Sequence, residues 1–270
     1  MHSVGNDYVF IDCFETEVDR PEELAKVISN RRISIGSDGL ILIMPSEHQD
    51  CKMRIFNSDG SEGIMCGNGV RCVGEYIYNK YKPQKYNLTV ETLGGTKKIY
   101  FEDGEAVAEM GKADFELSSV DFDESFRCKR TDKECAMNVY GQRILFTGVS
   151  MGNPHCVIFL NSLPDDIETV STSIQKSNAF KKGINIEYAH ICEDDVTEAR
   201  VYERGSGETY GCGTGACAII NAAIKGGRFE TEKWYQVRYP GGTLKVLVKN
   251  DGETLLKGSV IKSFEGVFYV

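Results

Sequence analysis

The feature that most constrains this chain is that it repeats itself at a nearly constant interval. Cys66-Gly-Asn-Gly69 is answered 146 positions later by Cys212-Gly-Thr-Gly215. Gly5-Asn6 is answered at 147 by Gly152-Asn153, and each pair leads into a β-rich run, Tyr8 to Ile11 and Cys156 to Phe159. Met53-Arg-Ile-Phe56 matches Ala199-Arg-Val-Tyr202, Glu62 matches Glu208, and VETLGGTKKIYF (90–101) matches VRYPGGTLKVLV (237–248). A fixed offset kept in order through five segments is hard to get by chance. It far exceeds the roughly 20–50-residue period of a solenoid, so the chain reads as two structurally equivalent halves.

Periodicity and turn residues place similar elements in both halves. The first half reads as a loop at 3–7, a strand at 8–12, a helix at 21–30 opened by Pro21, a turn at 36–39 and strands at 40–44 and 53–57. A polar loop at 58–62, a helix at about 68–80, a strand at 86–92, a Gly94-Gly95 turn and strands at 96–101 and 105–110 follow. The second half reads as a strand at 144–149, a loop at 150–155, a strand at 156–160, a helix at 165–176 and strands at 184–191 and 199–203. Next come a glycine-rich loop at 205–211, a helix at 214–225, a hairpin at 234–248 and strands at 253–257 and 260–270.

The polar stretch 111–142 has no counterpart in the first half, which places the junction near residue 112. Strand 144–149 precedes the second Gly-Asn pair, whereas only Met1 to Val4 precede the first. The terminal strand, Gly266 to Val270, is expected to cross back and cover that gap. The expected domains are therefore 1–112 plus about 258–270, and 113–257, in the α/β (α+β) class.

A chain of 270 residues can bury two modest cores, and 41% hydrophobic with 26% charged residues is ordinary for a soluble globular protein. A net charge of −9 argues against nucleic acid or an anionic membrane surface as partner. No run approaches the roughly 18 apolar residues of a membrane span, and the start lacks the basic and apolar regions of a signal peptide. A cytoplasmic location is expected. The ten cysteines should then be thiols. None forms a Cys-x-x-Cys pair, and the four histidines show no metal-ligand spacing. Eight cysteines read as small buried hydrophobes, and Cys66 and Cys212 escape that reading because each sits in a glycine-rich turn.

A cysteine at a glycine-rich helix start meets free backbone N–H groups and the positive end of the helix dipole, which favour a thiolate or a bound carboxylate. Such a setting can lower a thiol pKa. If the halves face each other, two thiols flank one cleft. Proton abstraction from an α-carbon on one face and delivery on the other then inverts a stereocentre. Helix-start N–H groups around the substrate carboxylate would stabilise the charge that develops. Nothing in the sequence indicates a pyridoxal lysine motif, a nucleotide loop or a metal, so no cofactor is expected. Gly213-x-Gly215-x-x-Ala218 fits a dinucleotide fingerprint, but a polar glycine loop precedes it instead of a strand. A thiol redox or structural disulfide protein is a further alternative, separated by a free-thiol count with and without reductant.

Gly5-Asn6-Asp7, NSDGSEGIMCGNGVRC (57–72), MGNPH (151–155), ERGSGET (203–209) and CGTGACA (212–218) together resemble the diaminopimelate epimerase family across nearly the whole chain. The resemblance implies cofactor-independent interconversion of LL- and meso-diaminopimelate in lysine and cell-wall synthesis. It implies two similar domains, each a sheet wrapped round a central helix, with the active site between them. Cys66 and Cys212 match the two acid/base residues. Gly67, Asn68, Gly213 and Thr214 match the groups that hold the reacting carboxylate. Asn6, Asn57, Asn153, Asn185, Glu203 and Arg204 match those that grip the amino groups and the distal carboxylate, with Arg204 suited to a bidentate contact. His155 and Glu203 are expected close to the thiols, and a homodimer is suggested. Gly39 stands where many members carry a substrate-contacting glutamine, so one distal contact is expected to be lost or replaced by water. A racemase of the same fold acting on proline or histidine is the alternative, ranked behind because Arg204 and the asparagines suit a substrate with two charged ends.

Overall fold

The computed structural model describes residues 1–130, 135–193 and 195–269. The chain divides into two compact units, Met1–Glu109 with Lys257–Val270, and Met110–Leu256. Among the described residues no helix is long and apolar enough to cross a membrane.

The first unit runs β1 (His2–Ser3), β2 (Asn6–Asp12), α1 (Pro21–Ile28), β3 (Gly39–Met44), β4 (Cys51–Asn57), β5 (Glu62–Gly63), α2 (Gly67–Lys80), β6 (Asn87–Glu91) and β7 (Lys97–Glu102). Strand β8 (Glu105–Lys112) carries the chain into the second unit. There follow β9 (Arg127–Arg130), β10 (Cys135–Val139), β11 (Gln142–Ser150), β12 (Pro154–Phe159), α3 (Glu168–Lys176), β13 (Asn185–Ile191), β14 (Val196–Glu203), β15 (Gly207–Thr209), α4 (Gly213–Lys225), β16 (Trp234–Tyr239) and β17 (Gly242–Val248). Strand β18 (Glu253–Gly258) returns the chain to the first unit.

The duplication holds at the level of register. Strand β2 runs parallel to β3 with Tyr8 opposite Gly39, and β12 runs parallel to β13 with His155 opposite Asn185. Ile55 of β4 faces Gly63 as Val201 of β14 faces Thr209. Leu88 pairs with Ile99, and Tyr235 with Val246. In a strand the side chains alternate, so one residue of slip would turn every core residue outward. Agreement through this many pairs means the two units share one buried face pattern.

At the centre of each unit lies the helix that the cysteine opens. Residues Gly213 to Ala223 of α4 are all buried, and α2 is buried from Gly67 through Gly74 and again at Ile77. A helix apolar all round must be covered on several sides. Helix α4 touches β11, β12, β13 and β17, and α2 touches β1, β4, β6 and β7. This is a mixed α/β fold with each sheet curved around a helix. Separate clusters fill the remaining space, one of Cys13, Ala25, Ile28, Leu40, Leu42 and Phe56, the other around Phe122, Phe146, Phe180 and Ile186.

Three expectations need correction. Residues 58–62 and 205–211 are not wholly loop, because Glu62–Gly63 and Gly207–Thr209 pair with β4 and β14. Arg54 grips Glu62 across that pairing at 2.7 Å and Arg200 grips Glu208 at 2.7 Å, which holds the short strands. No strand spans 260–269; Ile261 alone bridges to His2, with both backbone hydrogen bonds at 2.9 Å, and residue 270 lies outside the described residues. The gap beside β2 is thus met by β1 and Ile261, while Phe268 packs on the first unit's cluster. In the stretch 111–142, which has no counterpart in the first half, Leu117–Val120 and Glu124–Phe126 form short 3₁₀ turns and β9 pairs with β10.

Candidate functional site

Each half-site is built on a helix start. Cys66 has φ −131° and ψ 120°, and Cys212 has φ −126° and ψ 123°, the extended backbone of an N-cap. Each sulfur accepts the N–H three residues on, from Gly69 and Gly215, at 3.4 Å. The sulfur takes the place of a Ser or Asp oxygen, so each thiol sits at the positive end of a long helix.

In the first unit Cys66 donates its S–H to Asn6 Oδ1 at 3.3 Å, and the Asn68 amide donates to the same oxygen at 3.4 Å. Asn6 is oriented from behind, its Nδ2 donating to Asp38 at 2.8 Å. Arg31 donates to Asp7 and Asp38 at 2.6 and 3.0 Å, and burial pushes the Asp38 carboxyl up. Arg71, fully buried, donates to Gly67 O, Asn68 Oδ1 and Ser3 Oγ. These bonds fix the first turn of α2.

In the second unit Cys212 Sγ lies 3.4 Å from Thr214 Oγ1, which accepts from Asn153 Nδ2 at 3.2 Å. Asn153 Oδ1 faces His155 Nε2 at 3.1 Å, and His155 Nδ1 is 3.0 Å from Glu187. His155 and Glu187 are both 0% exposed. Burial, then the Glu203 and Glu187 carboxylates, push the Cys212 thiol well up, against the opposing pull of Thr214 and the Gly215 N–H. At Cys212 loss of water and two nearby carboxylates outweigh the hydrogen bonds that the helix start supplies.

Asn185, Glu203 and Arg204 form a third group at the paired ends of β13 and β14. Asn185 donates to Pro154 O and accepts the Arg204 backbone N–H at 2.9 Å, which ties this corner to the MGNPH loop. Glu203 accepts from Thr209 at 2.6 Å, while the exposed Arg204 guanidinium donates to Lys182 O. The two side chains thus turn to different partners. Asn57 stands at the end of β4, exposed, donating to Ser61 at 3.0 Å, and is not joined to the Cys66 cluster. At Gly39 a Cβ would lie 2.1 Å from Phe56 O. The space where a glutamine side chain would start is filled by backbone.

Asp38, Arg71, Glu187 and Tyr239 were not singled out from sequence. Arg71 had a visible signal, lying inside the cysteine phrase where the second copy has Cys217. The other described cysteines are free thiols, Cys192 being half-buried rather than buried, and the Cys128 side chain lies outside the described ones. Cys72 and Cys217 are core residues of their helices, and burial pushes Cys72 up to about 12.

The comparisons with known proteins bear on this architecture. The profile of the diaminopimelate epimerase family matches residues 1–116 and 147–263. Diaminopimelate epimerase of Acetivibrio thermocellus is 39% identical over 273 residues, covering 98% of this chain and 96% of that protein. The Desulfovibrio desulfuricans enzyme of the same name is 38% identical over 286 residues, covering 100% and 97%. Among solved structures, a probable proline racemase from Agrobacterium radiobacter superposes with a TM-score of 0.66 at 12% identity, covering 97% of this chain and 92% of that one, which establishes a shared fold. With full-length identity near two-fifths and both cysteine half-sites inside the matched segments, this chain belongs to the diaminopimelate epimerase family.

Proposed function

We propose that this protein interconverts LL- and meso-2,6-diaminopimelate by moving one α-proton between two thiols. One observation carries the reading. Two cysteines cap equivalent buried helices with the same backbone angles and the same 3.4 Å N–H contact, so the duplication has preserved a thiol in each half. A thiolate takes the α-proton from one face, leaving the electron pair on a carbanion-like carbon, and the other thiol returns a proton from the opposite face. One cysteine enters as the thiolate base and the other as the thiol that donates; the reverse direction exchanges the roles. The first-turn N–H groups at Gly67, Asn68, Gly213 and Thr214 hold the reacting carboxylate and stabilise the charge passing onto it. Asn6, Asn57, Asn153, Asn185, Glu203 and Arg204 recognise the amino groups and the far carboxylate. His155 and Glu203 support the acid/base pair.

The same reading makes the chain a cofactor-independent isomerase of lysine and peptidoglycan precursor synthesis, working reduced in the cytoplasm as a homodimer. A fold likeness at 12% identity gives the proline-racemase alternative no further support. The test is to incubate reduced protein with LL-diaminopimelate in D2O without added cofactor. Loss of the α-proton signal together with meso product is expected. Folded protein with free thiols that yields neither would overturn the assignment.

A further inference from the structure

The two halves provide an internal comparison at the first turns of their central helices. Asn68 and Arg71 of α2 stand where α4 has Thr214 and Cys217. Cys217 is fully buried, so a small apolar residue packs at that place in the second unit. Arg71 is fully buried as well, and its side chain folds back toward the helix start, where the dipole favours anions over cations. Packing does not account for an arginine there.

Its hydrogen bonds do. A guanidinium only donates, and a carboxylate only accepts. Arg71 donates to Asn68 Oδ1 at 3.0 Å, and its bonds to Ser3 Oγ at 2.6 Å and Gly67 O at 3.1 Å hold the fork in that position. With its oxygen taken, the Asn68 amide turns its NH₂ the other way, onto Asn6 Oδ1 at 3.4 Å. Asn6 in turn gives its NH₂ to Asp38 at 2.8 Å. The run from Arg71 to Asp38 therefore has one direction, each amide oxygen toward the arginine and each nitrogen toward the aspartate. An NH₂ carries two hydrogens. One hydrogen of Asn68 goes to Asn6, and the second can meet a carboxylate bound at the first-turn N–H groups. Turned over, the same amide would set an oxygen against that carboxylate. The second unit has no such choice to settle, because Thr214 Oγ1 accepts from Asn153 and a hydroxyl rotates to suit its partner. The arginine accompanies the asparagine and is replaced by cysteine where a threonine serves.

We propose that Arg71 is a positioning residue for Asn68: by holding the amide oxygen it presents the NH₂ to the substrate carboxylate. This rests on the reading of Gly67 and Asn68 as groups that hold the reacting carboxylate.

The test is Arg71→Lys, which keeps a cation but not the planar fork, made both in wild type and in Asn68→Thr, which copies the second unit. In wild type the change should lower kcat/KM for diaminopimelate epimerisation about tenfold, most of it as a higher KM, since the carboxylate contact is already made in the bound substrate. In Asn68→Thr the same change should cost less than about twofold. The side-chain NH₂ signals of Asn68 in ¹⁵N spectra, assigned by their loss in Asn68→Thr, give a readout without substrate. They should form one sharp pair in wild type and be shifted or doubled in Arg71→Lys. A folded Arg71→Lys with wild-type KM or unchanged Asn68 signals would overturn the proposal. An equal loss in both backgrounds would overturn it too, because Arg71 would then act through Ser3 and Gly67. Should Arg71→Lys fail to fold, wild-type protein titrated with meso-diaminopimelate decides: the Asn68 NH₂ signals should move together with the Gly67 N–H, and a pair that stays still while Gly67 moves would sink it. Wild-type protein without epimerase activity would remove the functional reading, and the substrate-free Asn68 signals would still decide whether Arg71 sets the amide.

Discussion

At the scale of single residues, the chain separates what the duplication kept from what it changed. The cysteines and their following glycines were kept, so each is expected to be indispensable: Cys66→Ala and Cys212→Ala should each abolish epimerisation, and either single variant turning over at the wild-type rate would end the two-thiol mechanism. The glycine three residues on is a sharper probe. In Gly215→Ala the new methyl meets the Glu187 carboxylate, pinned by His155 and Tyr239, whereas in Gly69→Ala it meets the free end of Ile41. Both overpack, at about 1–3 kcal/mol. Thermal melts should therefore show Gly215→Ala as the more destabilised, and an equal or smaller loss than Gly69→Ala would contradict the packing argument. The thiols were legible because they recur with their neighbours. Glu187 was not, since a lone glutamate in NIEYAHI looks like the polar side of an alternating strand, and only the register with β12 places it beside His155.

At the scale of elements, apolar periodicity located most strands and helices to within a residue or two, because burial imposes it. Two of the misses are short and polar. Strands β5 and β15 have two and three residues and are held by Arg–Glu pairs and backbone bonds, which leave no periodic trace. The far end of α2 is fixed by charge: Asp12 of β2 accepts from Lys80, Tyr81 and Tyr76 at 2.6 to 2.7 Å. Burial opposes ionisation there, but hydrogen bonds from Lys80, Tyr81, the Phe14 N–H and Tyr76 hold the carboxyl at about 2. A folded-state pKa below the unfolded value of about 3.9 stabilises the protein above pH 4, and that contribution is lost as pH falls from about 4 toward 2. Asp12→Asn should cost about 1–2 kcal/mol at neutral pH, after allowance for its solvated partners, and should flatten the acid limb of the stability curve. Denaturant titrations across that range measure both. Gly39→Gln should lower the melting temperature without lowering KM, because Phe56 O occupies the space. An unchanged melting temperature would show that β4 yields more readily than the geometry implies.

At the scale of the whole molecule, the first unit is assembled from two separated pieces of chain, Met1–Glu109 and Lys257–Val270. The returning piece contributes the Ile261 bridge to His2, the Phe268 contact and the Lys257 ammonium, which reaches Glu102 and Asp103 at 3.2 Å. Deleting residues 259–270 should therefore destabilise the first unit by about 1–3 kcal/mol, seen as lost amide protection in β1 and β2, and leave protection of α4 unchanged. Loss of protection in α4 as well would show that the return piece supports more than its own unit.

That discontinuity also sets an order in time. Chains leave the ribosome from the amino end, and domains usually mature in that order. Here the half encoded first cannot receive Lys257 or Ile261 until all of the second has been translated. The later half can close on its own contacts while the earlier one waits, so the first unit is completed last.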